Sequence, residues 1–321
     1  MNPPIYSILN WIDINKLNWL VLSMNPNAIK LLKENQDKIN WDNLSLNPNA
    51  IELLKDNLDK VKLCFLSWNP NAIEILKEHI DIIDWHILSL NPNPEAIKLL
   101  QKNIDKVDWD NLCFNTNYEG IKLLKEDLDK INWDNLSSNP NAIELLKENI
   151  DKINWNNLSS NPNAIEILKE NIDKVDWDNL SSNPNAIEIL KENPGKINWY
   201  YLSQNPNAIE LLQKNLDKIN WDNLSSNPEA IQLLQKNPEK INWFCLSMNP
   251  NYEAIKLLKA NQDKIMWNYL SMNPIIFQLD YKQMTENFEP FYQEIIAKAL
   301  HPNRISRYLE QYNFDIEDLF D

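Results

Sequence analysis

Within residues 133–154, WDNLSSNPNAIELLKENIDKIN, the apolar side chains fall in two groups separated by a polar Asn-Pro-Asn. Ala142, Ile143, Leu145, Leu146 and Ile150 are spaced for one side of a helix, with Glu144, Lys147 and Glu148 on the other. Asn139 followed by Pro140 supplies a cap and a first helical residue, so a helix of about ten residues is predicted to begin there. The Asn149 slot suits a left-handed helix end. The first group is shorter. Trp133 and Leu136 are three apart and face the same way, which predicts a single α or 3-10 turn capped by Asn132.

This pattern recurs along the chain. Trp returns at 155, 177, 199, 221 and 243, and upstream at 19, 41, 85 and 109, with Leu63 in the same slot and Trp267 opening a last copy. The fold expected is therefore all-α: an elongated α-solenoid of about twelve units of 22–24 residues, in which each unit contacts its neighbours. Two-residue insertions, as at Asn93-Pro94 and Asn251-Tyr252, fall in the turn before the longer helix, where they leave its apolar face undisturbed. Residues 1–18 imitate the end of a unit, with Ile14, Lys16 and Leu17 before Trp19, and read as an N-terminal cap. Residues 19–273 are the repeat array. Residues 274–321 read as a C-terminal helical cap, with helices expected from about Pro290 and near Pro302.

Composition narrows the partner. The chain of 321 residues carries a net charge of −15, and its only arginines, Arg304 and Arg307, lie near the C-terminus. Nucleic acid, which needs phosphates neutralised by Lys and Arg, is disfavoured. Lys125, Lys147, Lys169 and Lys191 form a ladder, but each is followed by a glutamate. Three cysteines in unlike slots fit a reduced compartment. With no apolar run of spanning length and no basic leader at the start, the expectation is an intracellular protein, in host cytoplasm or virion, without a membrane partner.

The repeat SNPNAIELLKENIDKINWDNL, together with the closing HPNRISRYLEQY at 301–312, resembles the tandem-repeat proteins that giant DNA viruses of the mimivirus kind encode in many copies. The resemblance covers essentially the whole chain. In layout the unit is also similar to leucine-rich variant repeats, which alternate α and 3-10 helices. Neither resemblance implies a catalytic residue.

Candidate chemistry is sparse. The recurring Trp is expected in the core, joining units, and the recurring Asn at a helix cap. His79, Asp81, Asp84 and His86 match no zinc spacing, and with two glycines in the chain no phosphate-cradling loop is expected. No Ser-His-Asp set can be assembled. The reading is a non-enzyme with no cofactor and no metal. Information lies in the slots that vary. The residue before the cap Asn is Ser at 138, 160, 182 and 226, but Met24, Leu46, Trp68, Leu90 and Phe114 near the N-terminus and Met248 and Met272 near the C-terminus. Together with the slots after the Trp, this picks out Phe65, Trp68, Ile87, Leu90 and Phe114 as the candidate partner surface. A hydrophobic staple on the following helix is the competing account of the pre-cap residues. The function expected is a non-catalytic protein-interaction scaffold with a protein partner, a host protein included. Alternatives are a self-associating structural protein, monomer and homo-oligomer being undecided, and a nucleic-acid-binding solenoid.

Overall fold

The computed structural model describes residues 4–301 and 304–307. The chain is an all-α solenoid. Each unit runs from a short helix through the Asn-Pro turn into a longer helix and a 3-10 turn over Ile-Asp-Lys or its equivalent. Short helices or 3-10 segments open at Trp19, Trp41, Leu63, Trp85, Trp109, Trp133, Trp155, Trp177, Trp199, Trp221, Trp243 and Trp267, defining units 1 to 12. The side chain of Asn132 accepts from Asn135 N at 3.2 Å, the cap expected for the short helix.

The longer helix differs from expectation at both ends. It spans only Ile143–Glu148, and its N-cap, Ala142, offers no side-chain acceptor. Asn139 instead closes a turn, accepting from Asn141 N at 3.0 Å, while Ala142 N donates to Asn139 O. Where the insertion is present Asn caps the α-helix itself, as Asn93 does for Pro94–Lys102, and in units 9 and 10 Asn205 and Asn227 cap a 3-10 turn that begins at the proline and runs directly into the helix, the start expected. At the other end Asn149 is not left-handed, with φ −132 and ψ 49, and its amide donates to Leu145 O at 2.9 Å. That bond satisfies a helix carbonyl, the task a left-handed residue would otherwise serve.

Units are joined by ladders of hydrogen bonds. Asn183, fully buried, donates from Nδ2 to Ser159 O at 3.0 Å and Asn161 O at 2.9 Å in the preceding unit. Ser159 Oγ donates to Trp155 O at 2.7 Å and accepts from Asp176 N at 3.0 Å in the next unit. Lys174 lies over the Trp155 ring, 4.7 Å from its centroid. Trp155 is therefore half-buried, packed on the core by one face and covered by a lysine, rather than enclosed as expected. The enclosed residues are leucines such as Leu146, Leu158 and Leu168, all at 0% exposure.

The same ladders join the first unit to the last, which corrects the expectation of an elongated body. Asn25 donates to Ser271 O at 3.1 Å and Asn273 O at 3.2 Å, Asn18 N donates to Ser271 Oγ at 2.9 Å, and Asn27 donates to Pro274 O at 3.0 Å. Lys16 lies over Trp267 at 5.1 Å. Strand β1 (Tyr6–Ile8) pairs antiparallel with β2 (Phe277–Leu279), Tyr6 opposite Leu279 and Ile8 opposite Phe277. The solenoid is a closed ring, and the described parts of the flanks clasp each other where two free ends were expected to be capped.

Closure assigns an inside and an outside. Cα atoms of consecutive short helices approach within 8 Å along much of their length, whereas the longer helices of consecutive units do so at fewer positions. In a closed ring the more closely spaced layer has the smaller radius, so the short helices form the inner wall. After β2 the chain forms the helix Tyr281–Ala299, most of whose side chains are exposed. Pro290 lies inside this helix rather than starting one. The helix expected near Pro302 falls largely outside the described residues, although residues 304–307 are helical.

Candidate partner-binding site

The inner-wall helices bury their fourth and fifth residues, such as Leu136 and Ser137, and leave their second and sixth more open. Those two positions are one helical turn apart and share a face. They pair as Leu20 with Met24, Cys64 with Trp68, His86 with Leu90, Asp110 with Phe114 and Phe244 with Met248. They are the more exposed positions of the inner-wall helices.

The five residues singled out from sequence lie on units 3 to 5 of this wall. Trp68 and Phe114 are 51% and 45% exposed. Phe65, Ile87 and Leu90 are half-buried. The Lys62 ammonium sits 5.6 Å from the Phe65 ring centroid and is bonded to Asp42 at 2.9 Å, which raises its pKa above the ordinary lysine value.

Closure enlarges the strip. Units 11 and 12 contribute Met248 and Met272, and across the seam unit 1 contributes Met24 and unit 2 Leu46. The apolar pre-cap residues, split between two ends in the sequence, thus occupy seven consecutive units from 11 through 5. Compared with family models, curated proteins and solved structures, the chain matches none. The site is accordingly read from its own geometry.

Opposite the apolar arc, units 6 to 10 place Ser138, Ser160, Ser182, Gln204 and Ser226 in the pre-cap slot. Their second positions include Asp134, Asp178 and Asp222. Each of these carboxylates accepts from the amide of the next unit's cap residue, Asn154 at 2.9 Å, Asn198 at 2.7 Å and Asn242 at 2.8 Å. A neutral amide leaves the negative charge in place. On the apolar arc Asp42 is paired with Lys62 at 2.9 Å, and Asp110, at the arc's edge in unit 5, accepts from Asn132 at 3.0 Å, so the second-position carboxylates bonded to neutral amides run from unit 5 to unit 10, with Tyr200 among them in unit 9.

Other polar groups are accounted for by the repeat. Asp84 caps the unit 4 helix through Ile87 N at 3.1 Å, and His86 Nδ1 is bonded to Asp108 in unit 5. That bond raises the His86 pKa above its ordinary value. Burial opposes ionisation of Asp108, but the Asn111 amide and His86 outweigh it and hold the carboxyl below the usual range. Cys113 replaces the ladder serine of unit 5, and burial pushes its thiol up to about 11. Among the described residues, no three His, Cys, Asp or Glu side chains gather as a metal site, and no helix is long and apolar enough to cross a membrane.

Proposed function

We propose that the protein is a non-catalytic scaffold, a closed ring whose inner wall engages a protein partner. The observation that carries this reading is the apolar arc. Methionines, Leu46, Trp68, Leu90 and Phe114 follow one another around seven units while the buried leucine and the ladder asparagine of each unit stay constant. Contiguous exposed apolar surface of this kind marks interaction sites. Methionine and aromatic side chains are the types enriched at such interfaces. Net charge −15 argues against nucleic acid. Free cysteines favour an intracellular setting, and the resemblance of the repeat to giant-virus proteins supports host cytoplasm or virion.

Affinity capture tests the reading, with the wild type and Trp68→Ser/Leu90→Ser as paired baits. Serine is what units 6 to 8 carry in that slot, so the variant should fold. A protein retained by the wild type and lost by the variant supports the scaffold. Identical captures from both baits, or recovery of nucleic acid alone, would overturn it.

A second reading, self-association, rests on the helix Tyr281–Ala299. Tyr281, Phe288, Tyr292 and Ile295 lie at helical spacing and are more than half exposed. Light scattering that gives twice the chain mass, reduced to one chain by Phe288→Ser/Ile295→Ser, would favour it.

A further inference from the structure

We infer that the bore of the ring receives a basic amphipathic α-helix, its apolar side against Trp68, Leu90 and Phe114 and its lysines or arginines toward Asp134, Asp178 and Asp222. The inference rests on the scaffold reading and gives the partner its chemistry.

Size permits a helix. Twelve inner-wall helices spaced at roughly 8 Å, the lower end of ordinary helix packing, set their axes on a circle of about 15 Å radius. Subtracting a helix half-width of about 5–6 Å leaves an opening on the order of 20 Å. An α-helix with its side chains is about 10–12 Å wide, so one fits against a wall, and extended lysines on its far side reach across the remainder.

Polarity selects the helix. The apolar arc spans units 11 to 5; within it Asp42 is paired with Lys62, and the second-position acids bonded to neutral amides lie at its edge in unit 5 and around the rest of the ring in units 6, 8 and 10. A ligand complementary to both halves needs one apolar and one cationic face. Like charges would be juxtaposed by an acidic segment, which is costly. That consideration removes the chain's own candidates. The helix Tyr281–Ala299 has Lys282 and Lys298 against Glu286, Glu289 and Glu294, and residues 304–321 have two arginines against five acids. A second copy of the chain, at −15, is likewise unsuited.

Fluorescence anisotropy on the full chain tests this with three labelled 18-residue peptides: a Leu/Lys amphipathic helix, its Leu/Glu counterpart, and a scrambled Leu/Lys sequence of the same composition. The first should bind, the second should not, and the third should bind at least tenfold more weakly. Trp68→Ser/Leu90→Ser should weaken the first peptide about tenfold or more. Asp134→Asn/Asp178→Asn/Asp222→Asn should weaken it and flatten its salt dependence. The control Glu144→Gln/Glu166→Gln/Glu188→Gln removes the same charge from the longer helices of the outer layer and should change binding less than twofold. Equal binding of the scrambled peptide, or equal losses in the Asp and Glu triple variants, would show general attraction to an acidic protein and overturn the inference. A captured partner that depends on Trp68 and Leu90, with no binding of the Leu/Lys helix, would overturn it while leaving the scaffold reading intact.

Discussion

At the scale of single residues, a repeated position supports the fold according to what its side chain bonds to, and repetition alone does not reveal this. Asn183 and Asn163 illustrate the difference. Both are asparagines of the Asn-Pro-Asn turn, but Asn183 is buried with two carbonyls to satisfy, whereas Asn163 donates to Pro140 O at 2.9 Å in an exposed setting. Asn183→Ala strips buried carbonyls of a donor and is expected to cost about 2–3 kcal/mol, and Asn163→Ala, whose partner carbonyl can turn to water, under about 1 kcal/mol. Denaturant midpoints of the two variants check the ordering. A second residue-scale outcome concerns His86. Its pKa is raised by Asp108, so the contribution of this pair to stability is fully present below the unfolded histidine value and is lost as pH rises through the higher folded one. NMR titration should find His86 above 6.5 in the wild type, and Asp108→Asn should bring it down.

Individual elements were partly legible. The Trp-to-Leu spacing and the cap at Asn132 located the short helix because both signals are local, and local capping chemistry is what sequence expresses most directly. Asn-Pro opens the longer helix at the expected place in units 9 and 10, through a 3-10 turn, but in units such as 6 it forms a turn ahead of the helix, because Asn-Pro also starts turns. Here the Asn139 oxygen serves a turn while its amide reaches the preceding unit, a contact that depends on the neighbour's position. Pro290 misled for a related reason. A proline predicts a helix start only when the preceding residues lack a better one, and Asp280 provides it, accepting from Gln283 N at 3.1 Å and pairing with Lys30 at 2.9 Å. The bond to Lys30 holds Asp280 below the ordinary carboxylate range. Asp280→Ala should therefore speed amide exchange several-fold in the first turns of this helix, by loss of its cap, and leave exchange in units 2 to 11 unchanged. Hydrogen-exchange mass spectrometry distinguishes the two regions.

For the whole molecule, the decisive property is curvature, and no single unit's sequence displays it. A small excess of spacing in the outer layer over the inner one, repeated twelve times, brings unit 12 to unit 1. One sign was nevertheless present. Lys16 precedes Trp19 at the spacing by which Lys152 precedes Trp155, and just as Lys152 covers the Trp of the preceding unit, Lys16 covers Trp267. The degenerate opening segment is thus the missing turn of the last unit. The candidate surface was legible as chemistry at Trp68, Leu90 and Phe114, but its continuation through Met24, Met272 and Met248 follows only from closure.

If the seam is an interface like the others, removing its ladder donor should cost what removal costs anywhere else. Asn25→Ala is expected to destabilise the protein by about 2–3 kcal/mol, within about 0.5 kcal/mol of Asn183→Ala, since both remove a buried amide from two carbonyls. An open array would give a different result, because Asn25 would face solvent at a free end and its replacement would be nearly neutral. Small-angle scattering should agree. At about 8–10 Å per unit an open rod would be roughly 100 Å long, whereas the ring is roughly 50–60 Å across. A neutral Asn25→Ala together with the longer dimension would show that the chain is open in solution, and the arc joining Met272 to Met24 would not exist.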